Sequence, residues 1–450
     1  MDAKSCALRH HFIADTLTPI SAFLTLAEEG EACLLESVDH SGGRISRYSF
    51  IGLDYIETKT FSSSPTLTQE IRDFVAPFRE RLKKAAGFPG SALVCYSYDA
   101  ARSFARLSPR EAADPPLPDA YVAIPHTWLV FDHHSDTATL HVFAQAEREA
   151  QKRLEEYRWR LYDVRPQEPP AVRASGAITQ SIDRQRYLNL VARVKQHIVQ
   201  GDVYQLQLGI RFSAGFQGRA FDLYRHVRSR NPSPYMFYLN TPFGQLLGAS
   251  PEFLVRLEGG IARIRPLAGT RARGASPEED GAIAEQLLND PKERAEHVML
   301  VDLGRNDLSV VCDPGSVAVK ELLAIERYSH VMHIVSDCAG TLRADCDALD
   351  LLQAGFPAGT VTGTPKMRAM QLIDELEPVT RGFYAGSIGR MDFNGDFDSC
   401  ITLRSVHVKG DRVHWQASAG IVADSIPAAE YDEVFQKNRI IREVLGIEAR

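Results

Sequence analysis

Two glutamates three residues apart, Glu293 and Glu296, follow Asp290-Pro291, an acidic cap with proline at the first helical position. On a helix this spacing puts both carboxylates on one face, and Met299, Leu300 and Leu303 would anchor the same helix to a core. Paired carboxylates at a core-facing edge suit a hard cation that takes oxygen ligands; the same spacing also occurs on solvated helix faces. Residues 359–366, GTVTGTPK, have the glycines and lysine of a phosphate loop. The lysine does not follow the second glycine, however, and Pro365 removes a backbone donor, so no nucleotide site is expected there. No GxGxxG follows a strand, which leaves dinucleotide binding unsupported. His133-His134 falls in a hairpin turn and is expected to be solvent-exposed. The seven cysteines are scattered without a CxxC pair, unlike a disulfide framework or a zinc site, and are read as reduced thiols of a cytoplasmic protein.

The elements that must position such residues belong to a chain of 450 residues, 44% hydrophobic and 24% charged, an ordinary globular composition. A formal charge of -7 opposes binding to a polyanion, and no basic patch offsets it, so no nucleic-acid partner is expected. No apolar run is long enough for a membrane-spanning helix, and the start lacks the unbroken apolar stretch of a secretory signal. Residues 128–143 read as two strands around a polar turn, and Leu154, Tyr157 and Leu161 then mark a helix ending near Val164. The proline-rich stretch that follows predicts a linker over 165–180, dividing the chain into segments 1–164 and 181–450. Ser181 is read as the cap of a helix that Gly201 ends, and VYQLQLGIRF as a strand. Residues 384–390, 400–408 and 413–417 read as three more strands, joined by turns containing Asn394-Gly395 and Lys409-Gly410-Asp411. The fold class expected is α+β: a complex sandwich of mainly antiparallel sheets with flanking helices.

The second segment resembles one family closely. GDVYQLQLGIRF (201–212), GASPEFLVR (248–256), RPLAGTRARG (265–274), KERAEHVMLVDLGRNDL (292–308) and YSHVMHIVS (328–336) occur in order. FPAGTVTGTPKMRAM (356–370), RGFYAGSIG (381–389), DSCITLRS (398–405), ASAGIVADS (417–425) and EYDEVFQKN (430–438) follow. This series is similar to the chorismate-utilising enzymes, and among them to the large subunits of anthranilate synthases. The resemblance implies chorismate as substrate, a dianion that needs fixed positive charge. It implies Mg2+ held by Glu296 and Glu433, an arginine for a substrate carboxylate at Arg404, and a point charge at Lys437. Tyr384 and the backbone of Ser418, Ala419 and Gly420 correspond to a carboxylate-binding wall, with Ser418 where the family usually has glycine. Gly269 and Thr270 correspond to a substrate-contacting turn. Glu252 matches the acid for hydroxyl departure, His333 the histidine of aromatisation, and Thr360 a residue that holds the substrate.

Two positions discriminate within the family. Gln205 stands where isochorismate-forming relatives place a water-activating lysine, and Ala268 where aminodeoxychorismate synthases commonly carry a lysine. The expected reaction is therefore amination of chorismate with loss of pyruvate, giving anthranilate, the first committed step toward tryptophan. The alternatives are the corresponding aminodeoxychorismate subunit and a silent chorismate or tryptophan sensor. LLES (34–37) and NPSPYMF (231–237) match the two halves of a tryptophan feedback pocket, with Ser37, Arg47, Pro234, Tyr235 and Met236 as contacts. No cysteine sits in a glycine-flanked nucleophile turn with His and Glu partners, so the ammonia is expected from elsewhere; the resemblance implies a separate glutamine amidotransferase subunit.

Overall fold

The computed structural model describes residues 6–27, 30–38, 47–82, 90–105, 107, 116–164, 167–328 and 331–447. Arg165 and Pro166, at the head of the expected linker, and Ser329 and His330 of the YSHVMHIVS block lie outside the described residues, as does the start of the chain.

Antiparallel pairs join the strands into one long ladder whose middle comes from the first segment. There Ser91–Tyr96, Ala120–Asp132, Tyr48–Phe61 and Ala32–Glu36 lie side by side. Thr137–Ala144 and then Cys6–Ile13 add to the far half of Ala120–Asp132, closing the hairpin expected over 128–143. One arm leaves Ser91–Tyr96 through Ser387–Asp392, Phe397–Ile401, Phe253–Glu258 and Ile261–Ile264. It ends at Val331–Thr341, which also pairs with Leu267–Ala272 and Ala318–Arg327. The other arm leaves Ala32–Glu36 through Tyr235–Thr241, Gly244–Ser250, Ser405–Lys409 and Arg412–Ile421 to Gln205–Gln217, which is flanked by Arg173–Gln180 and Gly363–Thr364. Helices flank this antiparallel framework, in keeping with the α+β class, and one apolar core draws side chains from both segments. Among the described residues no helix is long and apolar enough to cross a membrane.

Several boundaries differ from the sequence reading for local reasons. Residues 173–180 of the expected linker form a strand with a bulge between Ser175 and Thr179; its small, polar residues mark an edge and carry no apolar alternation to read. The following helix, Arg184–Val199, is capped by Asp183, whose carboxylate accepts from the Arg186 amide at 2.8 Å; the Ser181 hydroxyl instead accepts from the Arg211 amide at 3.0 Å. The helix Pro291–Ser309 starts as expected, with the Asp290 carboxylate accepting from the amides of Lys292 and Glu293. The strand expected over 400–408 is split.

That split is architectural. Residues 244–258 and 397–409 run antiparallel, and both pass from one arm to the other at the same place: Gly248 pairs with Ser405 in one arm, Phe253 with Cys400 in the other. Strands that change sheets make the corners of such sandwiches. Here the bend is taken at Arg404, whose φ of +46° lies in the left-handed region, rare for a side-chain-bearing residue.

Candidate active site

The arm-crossing corner carries Glu252 on one strand and Arg404 on the other. Glu252 is 8% exposed, its carbonyl accepts from the Ile401 amide at 3.1 Å, and the Thr360 hydroxyl lies 3.4 and 3.5 Å from its two carboxylate oxygens. Burial pushes its carboxyl up to about 8, the Thr360 bond opposing, so near neutrality the group is mainly a proton-bearing acid. Arg404 is half-buried, and among the described residues it pairs with no carboxylate; its guanidinium donates to the Asn231 side-chain oxygen at 3.3 Å. Desolvation lowers its pKa, as expected of a cation enclosed without a counter-charge.

His333, on Val331–Thr341, lies opposite Thr270 across a bulge in the ladder. Its Nδ1 is 3.0 Å from the Thr270 hydroxyl and 3.2 Å from the Gly269 carbonyl. A carbonyl only accepts, so Nδ1 carries the hydrogen and Nε2 presents its lone pair. Burial pushes the ring down to about 4, which keeps it neutral. Gly269 has φ +63°, a conformation that favours glycine, and a Cβ there would sit 3.1 Å from the Glu293 carboxylate, a tight contact.

The carboxylates lie on the helices that cover the two arms. Glu296, on Pro291–Ser309, accepts from the Gln205 side-chain amide at 2.9 Å, and its pKa is raised by burial, then by Glu293, with Glu433 adding. Glu433, on Pro427–Lys437, pairs with Lys437 at 2.7 Å, and the Lys437 amine also donates to the Ser418 carbonyl at 3.0 Å. The Tyr384 hydroxyl meets the Ser418 hydroxyl at 2.8 Å, which donates to the Gln207 side chain at 2.9 Å. Beyond Trp415, the strand Arg412–Ile421 has a neighbour on one side only, leaving alternate peptide groups of 416–421 directed away from that ladder. A Cβ at Gly420 would lie 3.0 Å from both the Gln205 and Gln207 amide nitrogens. Apart from Arg404, which meets Asn231, the expected residues thus fall into three groups: Glu252 with Thr360; His333 with Gly269 and Thr270; and the Tyr384–Ser418–Lys437–Glu433 chain beside Glu296, Ala419 and Gly420.

Among the described residues no three His, Cys, Asp or Glu side chains are grouped to hold a metal unaided. The donor chemistry nevertheless fits a divalent cation. Glu293 and Glu433 both disfavour the charge on Glu296, which such an ion relieves, and an all-oxygen set of few carboxylates leaves positions for water and substrate oxygens.

Ser37, Arg47, Pro234, Tyr235 and Met236 line a second space, a cavity of about 370 Å³ between the two segments. Its polar walls are internally paired: Arg47 with Asp132 at 2.7 Å, Arg256 with Asp398 at 3.1 Å, and the Tyr235 hydroxyl with Asp398 at 2.7 Å. Sequence reasoning missed Asn231 as partner of Arg404, the contact of Gln205 with Glu296, and the buried pair Glu377–Arg381 beneath the wall. Only Gln205 had a signal, its place in a run of alternating apolar residues.

A two-armed antiparallel sandwich whose corner holds a buried acid and an arginine with no carboxylate partner among the described residues, with a neutral histidine on one arm, defines an α+β enzyme for a small anionic substrate. The chain belongs to the chorismate binding enzyme family, whose family model matches residues 31–443. It is 38% identical to anthranilate synthase component 1 of Acetivibrio thermocellus, covering 94% of this chain and 92% of that protein. It is 40% identical to aminodeoxychorismate synthase component 1 of Bacillus subtilis, over 90% of this chain and 89% of the relative. The structure of anthranilate synthase component I from Streptococcus pneumoniae TIGR4 matches with a TM-score of 0.78 at 31% identity, covering 96% of this chain and 99% of that one.

Proposed function

We propose that the chain is the synthase subunit of an anthranilate synthase, converting chorismate and ammonia to anthranilate, pyruvate and water. The observation that carries this reading is a pair of groups tuned in opposite directions, Glu252 up to about 8 and His333 down to about 4. Such opposite tuning suits one general acid and one general base. Glu252 gives its proton to the departing hydroxyl while ammonia attacks the ring carbon beside the carboxylate-bearing carbon. His333 Nε2 then takes the ring proton as the enolpyruvyl group leaves as pyruvate and the ring becomes aromatic. Thr360 orients the acid, while Gly269 and Thr270 fix the histidine tautomer.

Arg404, lacking a carboxylate partner, takes a substrate carboxylate, where a guanidinium engages two oxygens at once. Tyr384, Ser418, Ala419 and Gly420 form the wall for the other, with Lys437 adding charge behind it. Glu296 and Glu433 would hold Mg2+, which neutralises and orients the ring carboxylate when bound. Ammonia comes from a glutamine amidotransferase subunit, with free ammonium as substitute. The cavity at Ser37, Arg47, Pro234, Tyr235 and Met236 takes tryptophan as feedback inhibitor; apolar Leu35 and Met236 face the indole, and the paired charges suit a zwitterion. The expectation of anthranilate over 4-amino-4-deoxychorismate rests on Ala268, which lacks the amine a covalent ring adduct needs. One assay tests the reading: incubate the protein with chorismate, magnesium and ammonium and identify the product by fluorescence and mass. Anthranilate with pyruvate is expected; 4-amino-4-deoxychorismate, or no turnover, overturns it.

A further inference from the structure

Beneath the wall lies an ion pair almost sealed from solvent: Arg381 and Glu377 are 1% and 2% exposed, 2.7 Å apart, with a second bond from Nε at 3.0 Å. A buried pair is costly to desolvate, and an apolar pair of similar volume is often at least as stable, so stability alone is a weak account of it. Its remaining hydrogen bonds go to segments that carry the site. The Arg381 guanidinium donates to the Val361 carbonyl at 2.6 Å, in the short turn Gly359–Val361 that places Thr360 against Glu252. It also donates to the Gln207 carbonyl at 2.9 Å, and the Gln207 side chain accepts from Ser418. Glu377 in turn accepts from the Gly209 amide at 2.8 Å. The guanidinium lies 4.7 Å from the centre of the Tyr98 ring and 5.9 Å from that of Tyr384, and the Tyr384 amide donates to the Arg381 carbonyl at 3.2 Å. One planar cation thus touches the acid's turn, the strand behind the wall and the turn bearing the wall's tyrosine.

We infer that Arg381, oriented by Glu377, is a positioning residue that sets the acid Glu252–Thr360 and the wall Tyr384–Ser418 at a fixed separation. The inference rests on the chorismate-aminating reading above. A guanidinium donates in several directions within one plane, whereas a lysine ammonium at the same place keeps the charge and loses the fixed fork.

The test is Arg381→Lys and Glu377→Gln, with ammonium as nitrogen source and hydrogen exchange measured without substrate. In folded Arg381→Lys, kcat/KM for chorismate is expected to fall about a hundredfold, as small misplacements do, through both lower kcat and higher KM. The KM for ammonium should be unchanged, and Glu377→Gln should act in the same direction but less. Amide exchange should quicken together at 359–362 and 205–209, with 253–258 unaffected. Wild-type kinetics in the folded variants, or quickened exchange confined to 377–382, would overturn the inference. Should wild-type protein form no anthranilate, the functional reading falls, and the exchange pattern still decides whether Arg381 couples the two segments. If Arg381→Lys does not fold, Glu377→Gln carries the same outcomes.

Discussion

The arm-crossing corner and the cavity between the segments are both lined with charged side chains, yet they treat charge in opposite ways. In the cavity each cation has its own anion, as in Arg47–Asp132, Arg256–Asp398 and the short Arg390–Asp392 contact; just behind Ser37, Arg228 and the Tyr224 hydroxyl both meet Glu36. At the corner, among the described residues, Arg404 has only a neutral partner and Glu252 only a long threonine bond. A buried unpaired group is tolerated where a ligand completes it. The corner therefore leaves Arg404 without a counter-charge among the described residues, open to a molecule bringing its own carboxylates, whereas each arginine of the cavity wall already has an anion.

The sharpest way to break this comparison is at the carboxylates. Glu296→Gln or Glu433→Gln should leave the fold intact and cut turnover by about a thousandfold, roughly 4 kcal/mol of lost charge stabilisation. Full activity with unchanged magnesium dependence in either variant would mean that these carboxylates hold no cation the reaction needs. Glu252→Gln comes next, with a loss of about a hundred- to a thousandfold, the usual worth of a general acid. Because Glu252 is proton-bearing below about 8 and ionised above it, wild-type kcat/KM should decline as pH rises through about 8, a limb the variant lacks. The same shift has a stability sign. Between its ordinary 4.5 and about 8 the folded chain holds this proton more tightly than the unfolded chain, so wild-type stability falls as pH rises across that window. Denaturant midpoints for wild type and variant over that range measure it. A smaller, more selective effect belongs to His333→Met, which should slow pyruvate elimination more than amination and let the amino-enolpyruvyl intermediate accumulate in quenched reactions. Equal loss of both steps would give the histidine a more general role.

How much of this was legible in the sequence depends on how local its cause is. The Asp290-Pro291 start, the hairpin over 128–143 and the antiparallel α+β class follow from spacing and composition within short windows, and the structure has them. The corner does not. Residues 400–408 read as one strand because nothing in their alternation marks Arg404, whose left-handed backbone is selected by the distant 244–258 strand that turns beside it. Resemblance pointed to Glu252, His333 and Arg404 as chemistry-bearing types, but their tuning comes from burial by segments far away in the chain. Asp183 displaced Ser181 as a cap for a similar reason: the strand partner Arg211 occupies the serine hydroxyl. The pair Glu377–Arg381 was invisible, since two opposite charges around Pro378, beyond the end of a helix, carry no local sign of burial until the packing above them is known.

The mildest perturbation tests the other side of the comparison. Ser37→Arg should remove inhibition by tryptophan while leaving chorismate amination within a factor of about two, the small change usual for a substitution away from the chemistry. Ser37 lines the cavity with Tyr235 and Met236, so an arginine side chain there fills the space an indole would need. Binding alone does not inhibit; the ligand has to couple to the corner. A route for that coupling exists, because Asp398 and Arg256, which line the cavity, lie on the two strands that reach Ile401 and Glu252 at the crossing. Couplings of about 1 to 3 kcal/mol correspond to roughly 5- to 150-fold changes in apparent affinity, so a tryptophan titration of initial rates resolves them easily. Initial rates of the wild-type protein unchanged up to about 1 mM tryptophan, roughly 4 kcal/mol of binding, would leave the cavity a packing feature between the segments. Inhibition that survives in Ser37→Arg would instead place the effector elsewhere and dissolve the contrast between a regulatory space whose arginines are paired and a corner whose arginine awaits its anion.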